Sequence, residues 1–467
     1  MATAAPQVDE SKPEPATITR LANWHIGFIA LGGAIGTGLF LGAGGGIQSA
    51  GPAVLIAYLL SGLTIYVMLR CQAEMTIEHP ATGNFSAHAG LAFGQLAALF
   101  TGWVYVFLML VVSLADTVAL VHVYFPYVFP SVPHWVWAIA VIGVIALINV
   151  MPVRVFGSVE TGMTIMKVGA VVAIIIGGIV IWAFGLGGDN VAISNLWSHG
   201  GFLPNGLAGF AGSLAITLFA FGGTEAIGFA AADSEDVKTG TIHAVNTVPI
   251  RIALFYIASV AILMVLVPWN QVSTESSPFV TIFSQIGITW AAAFMNVVVV
   301  LAALSAVNAL IYAAGRMITG MAEQGLAPEL LAKRNRFGTP VASIIALILV
   351  LSTSVVANEL VPDGLFLTVA MVATIFLMFT WGAIIVTQLK LHYGKGTQDR
   401  SDHGFLVPFT PYAQILALGW MGIILIVLIA DEGSRVSVIV GTLALLAVGM
   451  LSWLTMKVRT TKEQSLQ

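Results

Sequence analysis

The chain has 467 residues, of which 58% are hydrophobic and 9% charged, with a net charge of −4 and a mean hydropathy of +0.96. Soluble domains carry roughly 25% charged residues, so a soluble protein is excluded, and without a basic surface so is a nucleic-acid partner. The single cysteine, Cys71, excludes an internal disulfide or a thiolate metal cluster.

Residues 1–20 mix alanines, prolines and both charge signs. They lack the apolar core of a cleaved leader and are expected to form a cytoplasmic tail. A helix crosses the hydrocarbon with about 20 mostly apolar residues. Runs of that kind predict twelve spans, near 25–49, 52–72, 92–122, 134–151, 160–184, 205–232, 246–268, 287–321, 340–357, 364–390, 409–430 and 434–456. Residues 457–467 are expected to form a second cytoplasmic tail. With both termini in the cytoplasm, every Lys and Arg except Arg435 and the intraspan Lys167 falls on the inner side, which is the positive-inside bias and supports an even number of spans. No loop is long enough for a soluble catalytic domain, so 21–456 is expected to be one membrane domain.

Two spans carry glycine-rich interruptions near their middles: Ile35-Gly36-Thr37-Gly38 in the first and Phe221-Gly222-Gly223-Thr224-Glu225 in the sixth. Backbone groups released at membrane depth must be satisfied by protein, water or ligand. Matching breaks in two halves of a chain are the mark of a transporter whose solute site lies where the repeats meet. Five spans separate the breaks, an odd number, so the second unit is inverted relative to the first. The predicted repeats are 21–184 and 205–390, with 409–456 adding two helices outside. The bland alternative is that Gly32, Gly36 and Gly38 only permit close helix packing.

The run from Trp24 to Gly42 resembles the opening signature of bacterial amino acid permeases. The likeness continues with Ala50-Gly51-Pro52, Gly102-Trp103-Val104-Tyr105 and Phe219-Ala220-Phe221-Gly222-Gly223-Thr224-Glu225, then Arg251 with Phe255-Tyr256, Ser277-Pro278-Phe279 and Ala303 to Ala309. It is strong over about residues 20–340. The resemblance implies the amino acid-polyamine-organocation superfamily and an all-α, leucine-transporter-like fold with helices 1 and 6 broken. A multi-pass protein of the bacterial inner membrane follows, as a monomer or weak homo-oligomer. The loop after the sixth span, Ala231 to His243, lacks the proline common in the family.

A zwitterionic amino acid needs donors for its carboxylate and acceptors for its ammonium, and a broken helix supplies both. Gly36, Thr37 and Gly38 are expected to hold the carboxylate, and the carbonyls of Ala34, Ile35, Phe219 and Gly222 the ammonium, with Ala220 and Thr224 completing the substrate site. Resemblance implies that Phe219 gates it; an ordinary core aromatic is the alternative. Asp116 in the third span, an intramembrane acid like Glu225, stands where the permeases more often have glutamate, so its contact with substrate is left open.

Lys167 costs roughly 2.5–3.5 kcal/mol at a span's centre on translocon-derived scales, unless it snorkels to the nearby inner surface. The resemblance implies that a lysine here replaces a bound sodium ion and couples transport to protons. Its amine is expected to face the first break and the polar Ser305 and Asn308 of the eighth span. Glu225 either caps the half-helix after the second break or joins in coupling. Without an extra acid or arginine dedicated to a charged side chain, neutral amino acids fit best. The expectation is therefore a proton symporter importing a neutral amino acid, with protons as coupling ion and no other cofactor. An exchanger is the runner-up and a channel-like protein is third. Gly-x-Ser-x-Gly, His-Glu-x-x-His and paired intramembrane His and Asp are all missing from the sequence, which argues against an enzyme or a metal site.

Overall fold

A computed structural model describes residues 33, 35–79, 84–186, 188, 190–232, 236–274, 276–360, 365–394 and 405–466. Among them every regular element is helical. In chain order they are α1 (Thr37–Phe40), α2 (Gly42–Ala50), α3 (Val54–Glu78), α4 (Phe85–Phe93), α5 (Gln95–Ala119), α6 (Phe125–Val128), α7 (His134–Val150), α8 (Val153–Ala183), α9 (Gly206–Phe219) and α10 (Ile227–Ala232). They continue with α11 (Val237–Asn246), α12 (Val248–Arg251), α13 (Ser259–Leu266), α14 (Pro278–Gln285), α15 (Thr289–Glu323), α16 (Val341–Leu360), α17 (Leu365–Gly394), α18 (Tyr412–Ala430) and α19 (Arg435–Leu466).

Nine helical stretches among the described residues are long and apolar enough to cross a membrane, and His134–Val150 and Val341–Val355 are shorter apolar helices. One of the nine, Thr37–Glu78, spans two of the predicted crossings. Its chain turns between them at Gly51, whose φ of 59° lies in the left-handed region that glycine enters without a Cβ penalty.

Three short helices lie where the sequence suggested loop. Asn84 accepts a hydrogen bond from the amide of Ala87 (2.9 Å) and starts α4, which ends at Gly94 with φ 90°. Asp236 accepts from the amide of Thr239 (3.1 Å) and starts α11. Pro278, which has no amide to leave unsatisfied, occupies the first turn of α14. Side-chain caps of this kind satisfy amides that a helix start leaves free, and proline suits the same position.

The packing has a clear centre. In the stretches containing α5 and α15, 78% of the apolar window is buried against other helices, against 28% in α18 and 22% in α19. α5 therefore forms the spine, with α15 and α17 laid along it, while α9 packs on α2 and α8 on α15 and α13. The exposed leucines and isoleucines of α18 and α19, such as Leu416, Ile426, Leu443 and Leu446, are what a lipid-facing surface requires. Two π-helical turns, Leu120–Tyr124 and Ile252–Ala258, interrupt helices beside the core. Such widened turns often mark functional sites because they re-aim side chains.

Candidate functional site between two unwound segments

At both glycine runs the described backbone departs from α-helix. Ile35 and Gly36 are non-helical, Gly36 is extended (φ −121°, ψ −156°), and helix begins at Thr37. Helical winding of α9 ends at Phe219, passes through turns and a short 3-10 segment, Thr224–Ala226, and resumes at Ile227. Gly223 makes the reversal with φ 90°, a conformation costing a side-chain-bearing residue roughly 1–2 kcal/mol.

The two unwound segments touch one another. A Cβ added to Gly33 would lie 2.9 Å from the carbonyl oxygen of Gly223, and one on Gly223 would lie 2.8 Å from that of Gly33. A Cβ on Gly38 would meet the Ala220 Cα at 2.7 Å and the ring of Phe219 at 3.3 Å. Glycine is needed here for close approach of backbone to backbone. Phe219 is buried beside Gly38 and meets Phe366 edge-on at 6.1 Å, so its ring lies against the start of the first half-helix.

Each break is held by side chains from neighbouring helices. Lys167 Nζ on α8 donates to the carbonyl of Ile35 at 3.3 Å. The Thr37 hydroxyl donates to Asp116 Oδ1 on α5, whose carboxylate oxygens would be 3.6 and 3.7 Å from a Cβ on Gly36. At the second break the Tyr256 hydroxyl, carried on a π-helical turn, donates to the Ala220 carbonyl at 3.0 Å. The Thr224 hydroxyl takes the Phe221 carbonyl at 2.9 Å, and Gln72 Nε2 takes the Glu225 carbonyl at 3.0 Å. The Glu225 carboxylate accepts from its own break at the Gly223 amide (3.4 Å) and from the buried Trp381 indole (3.4 Å). Asp116, Lys167 and Glu225 are all buried, which accounts for this density of partners, since buried charge is tolerated only when hydrogen-bonded or paired.

Several expectations need adjusting. Ala34 lies outside the described residues. The carbonyls of Ile35 and Phe219, assigned to substrate ammonium, have protein donors in this conformation, Lys167 Nζ and the Gly222 amide at 2.8 Å. Ser305 and Asn308, expected to face the Lys167 amine, donate to Glu160, the serine hydroxyl to Oε1 and the amide to Oε2 at 2.9 Å. Asn149 in turn donates to Asn308 Oδ1 at 2.8 Å. Sequence reasoning passed over Glu160, Tyr256 and Trp381. Glu160 had a signal: it precedes Lys167 by seven residues, two helical turns along the same face.

Two non-α-helical glycine-rich segments in contact, flanked by buried Lys167, Asp116 and Glu225 inside an apolar helical bundle, belong to a chain built of helices long and apolar enough to cross a membrane. The chain belongs to the amino acid permease family, whose model matches residues 25–466. It is 38% identical over 430 residues to the aromatic amino acid transport protein AroP of Escherichia coli O6:H1 (strain CFT073), covering 92% of this chain and 94% of that one. It is also 38% identical over 418 residues to AroP of Salmonella typhimurium (strain SL1344), covering 90% and 91%. Over 419 residues it is 35% identical to the uncharacterized amino acid permease YtnA of Bacillus subtilis (strain 168), covering 89% and 90%. The protein is thus a multi-pass membrane permease for amino acids.

Proposed function

We propose that this permease imports aromatic amino acids by proton symport, with alternating access at the two breaks. The observation that carries the reading is the buried Lys167 ammonium on the Ile35 carbonyl of the first break. A cation fixed to released carbonyls ties α8 to the unwound segment, and its gain or loss of a proton changes that tie. Coupling by a proton then needs no second metal-like ion. In this reading the substrate carboxylate docks at the first-turn amides of Thr37 and Gly38, where a helix start leaves donors free. The ammonium docks at carbonyls of both breaks, Ile35, Gly222 and Phe219 among them, once their present donors shift. Phe219 covers the site, Ala220 and Thr224 shape its far wall, and Asp116 and Glu225 adjust its charge.

Aromatic rather than merely neutral cargo is supported by what the relatives from Escherichia coli and Salmonella are named for. We read the helices as twelve crossings in a five-plus-five inverted repeat with both termini in the cytoplasm. The test is uptake of labelled phenylalanine, tyrosine, tryptophan, leucine and alanine into proteoliposomes, with and without an inward proton gradient and with empty or preloaded lumens. Gradient-dependent accumulation of the aromatic three into empty lumens is expected. Flux only into preloaded lumens would make the protein an exchanger.

A further inference from the structure

Glu160 has no place in the reading above, yet it is a fully buried carboxylate in the part of α8 that leads to Lys167. Two donors hold it, Ser305 and Asn308 on α15, and Asn308 is itself held by Asn149 on α7. All three side chains are buried. Asn149 also lines a cleft together with Phe156, Tyr312, Arg316 and Thr339. Arg316 also lines that cleft, and Arg316, Arg154 at the start of α8 and Arg336 in the segment before α16 are residues that the charge bias assigns to the cytoplasmic side. Thr339 closes the cleft's edge with a 3.1 Å hydrogen bond to the Met151 carbonyl.

Lys167 and Glu160 stand about 10 Å apart along the helix axis on one face. Side chains of a helix lean toward its N-terminus, and the Lys167 and Glu160 charges interact with one another. The lysine also feels Asp116 on α5. The glutamate interacts with the Lys167 charge and with the neutral donors Ser305 and Asn308 of α15, and Tyr312 and Arg316 follow on that helix at the cleft.

We propose that Glu160 is the residue that takes the proton from Lys167 for release to the cytoplasm. In this step one N–H bond of the ammonium breaks and one O–H bond forms on the carboxylate, leaving a neutral amine and a neutral acid. The acid then passes the proton to water entering from the cleft and returns to carboxylate. Asn308 and Asn149 position the carboxylate beside that water; amide groups do not carry the proton themselves. Substrate leaves between the breaks and the proton along α8, so the two routes are separate. The inference rests on the proton-symport reading.

The test compares gradient-driven uptake with substrate exchange in the same proteoliposomes, because exchange returns the carrier without releasing the proton. For Glu160→Gln the ratio of driven uptake to exchange is expected to fall at least tenfold, with partial recovery in Glu160→Asp. A merely structural carboxylate would lower both rates together, and an unchanged ratio would overturn the proposal. Should Glu160→Gln fail to fold, Asn149→Leu serves at the cleft. There the ratio is expected to fall at least threefold, and an unchanged ratio again overturns it. If the native protein shows no gradient-driven uptake, the symport reading fails as well; a driven native protein with an unaltered ratio in the variants removes this inference alone.

Discussion

Replacing Gly38 with alanine places a methyl group 2.7 Å from the Ala220 Cα and 3.3 Å from both the Ala220 nitrogen and the Phe219 ring. Ordinary carbon contacts lie at about 3.5–4.0 Å, so the two unwound segments must separate by most of an ångström. The nearest atom is backbone, and no rotamer change relieves it. Overpacking of this kind costs about 1–3 kcal/mol, and since each 1.36 kcal/mol is tenfold, transport should fall about 5- to 150-fold. Gly45 provides the control on the same half-helix, because there an added Cβ meets only Leu367 Cδ2 at 4.0 Å. Initial rates of aromatic amino acid uptake, normalised to protein in the membrane, should therefore drop for Gly38→Ala and stay near native for Gly45→Ala. Native-like uptake by Gly38→Ala would refute the claim that function needs the breaks in direct contact.

Lys167→Met should abolish proton-gradient dependence of uptake while any residual exchange continues, measured with and without an imposed gradient; a variant still driven by the gradient would exclude Lys167 from coupling. Tyr256→Phe removes the donor to the Ala220 carbonyl, and an unsatisfied buried acceptor costs about 1–3 kcal/mol. The expected result is a KM for uptake raised at least fivefold with normal expression. His88, on α4 outside the crossing stretches, is held by burial near pKa 4. The folded state thus resists protonation, and its stability is full above the unfolded value of about 6.5 and declines as pH falls toward 4. At pH 5 the loss is about 2 kcal/mol, so the detergent-solubilised protein should melt lower at pH 5 than at pH 7, and His88→Gln should flatten that difference.

The helical plan was legible because lipid imposes it: each apolar run long enough to cross has only one way to satisfy its backbone. The glycine clusters were legible as places of non-α-helical backbone, since Gly36 is extended just before the helix at Thr37 and Gly223 is left-handed between Phe219 and Ile227. What escaped were pairings across the fold. The partnership of Glu160 with Ser305 joins residues 145 positions apart, and that of Trp381 with Glu225 joins residues 156 apart. No local spacing encodes either. Glu160 was hidden further by a span boundary drawn at its own position, which made a buried acid resemble a membrane-edge charge. The short helices α4 and α11 were missed although Asn84 and Asp236 announce them, because a capping residue three positions before an ordinary turn is weak evidence without a long apolar run behind it.

The most direct test of the central claim is luminal pH in proteoliposomes of the native protein, followed with a trapped dye while tryptophan, tyrosine or phenylalanine is added outside. Coupled symport predicts that each addition acidifies the lumen in step with uptake of labelled substrate, and that Lys167→Met takes up no proton. Accumulation of substrate with no change in luminal pH would contradict the account.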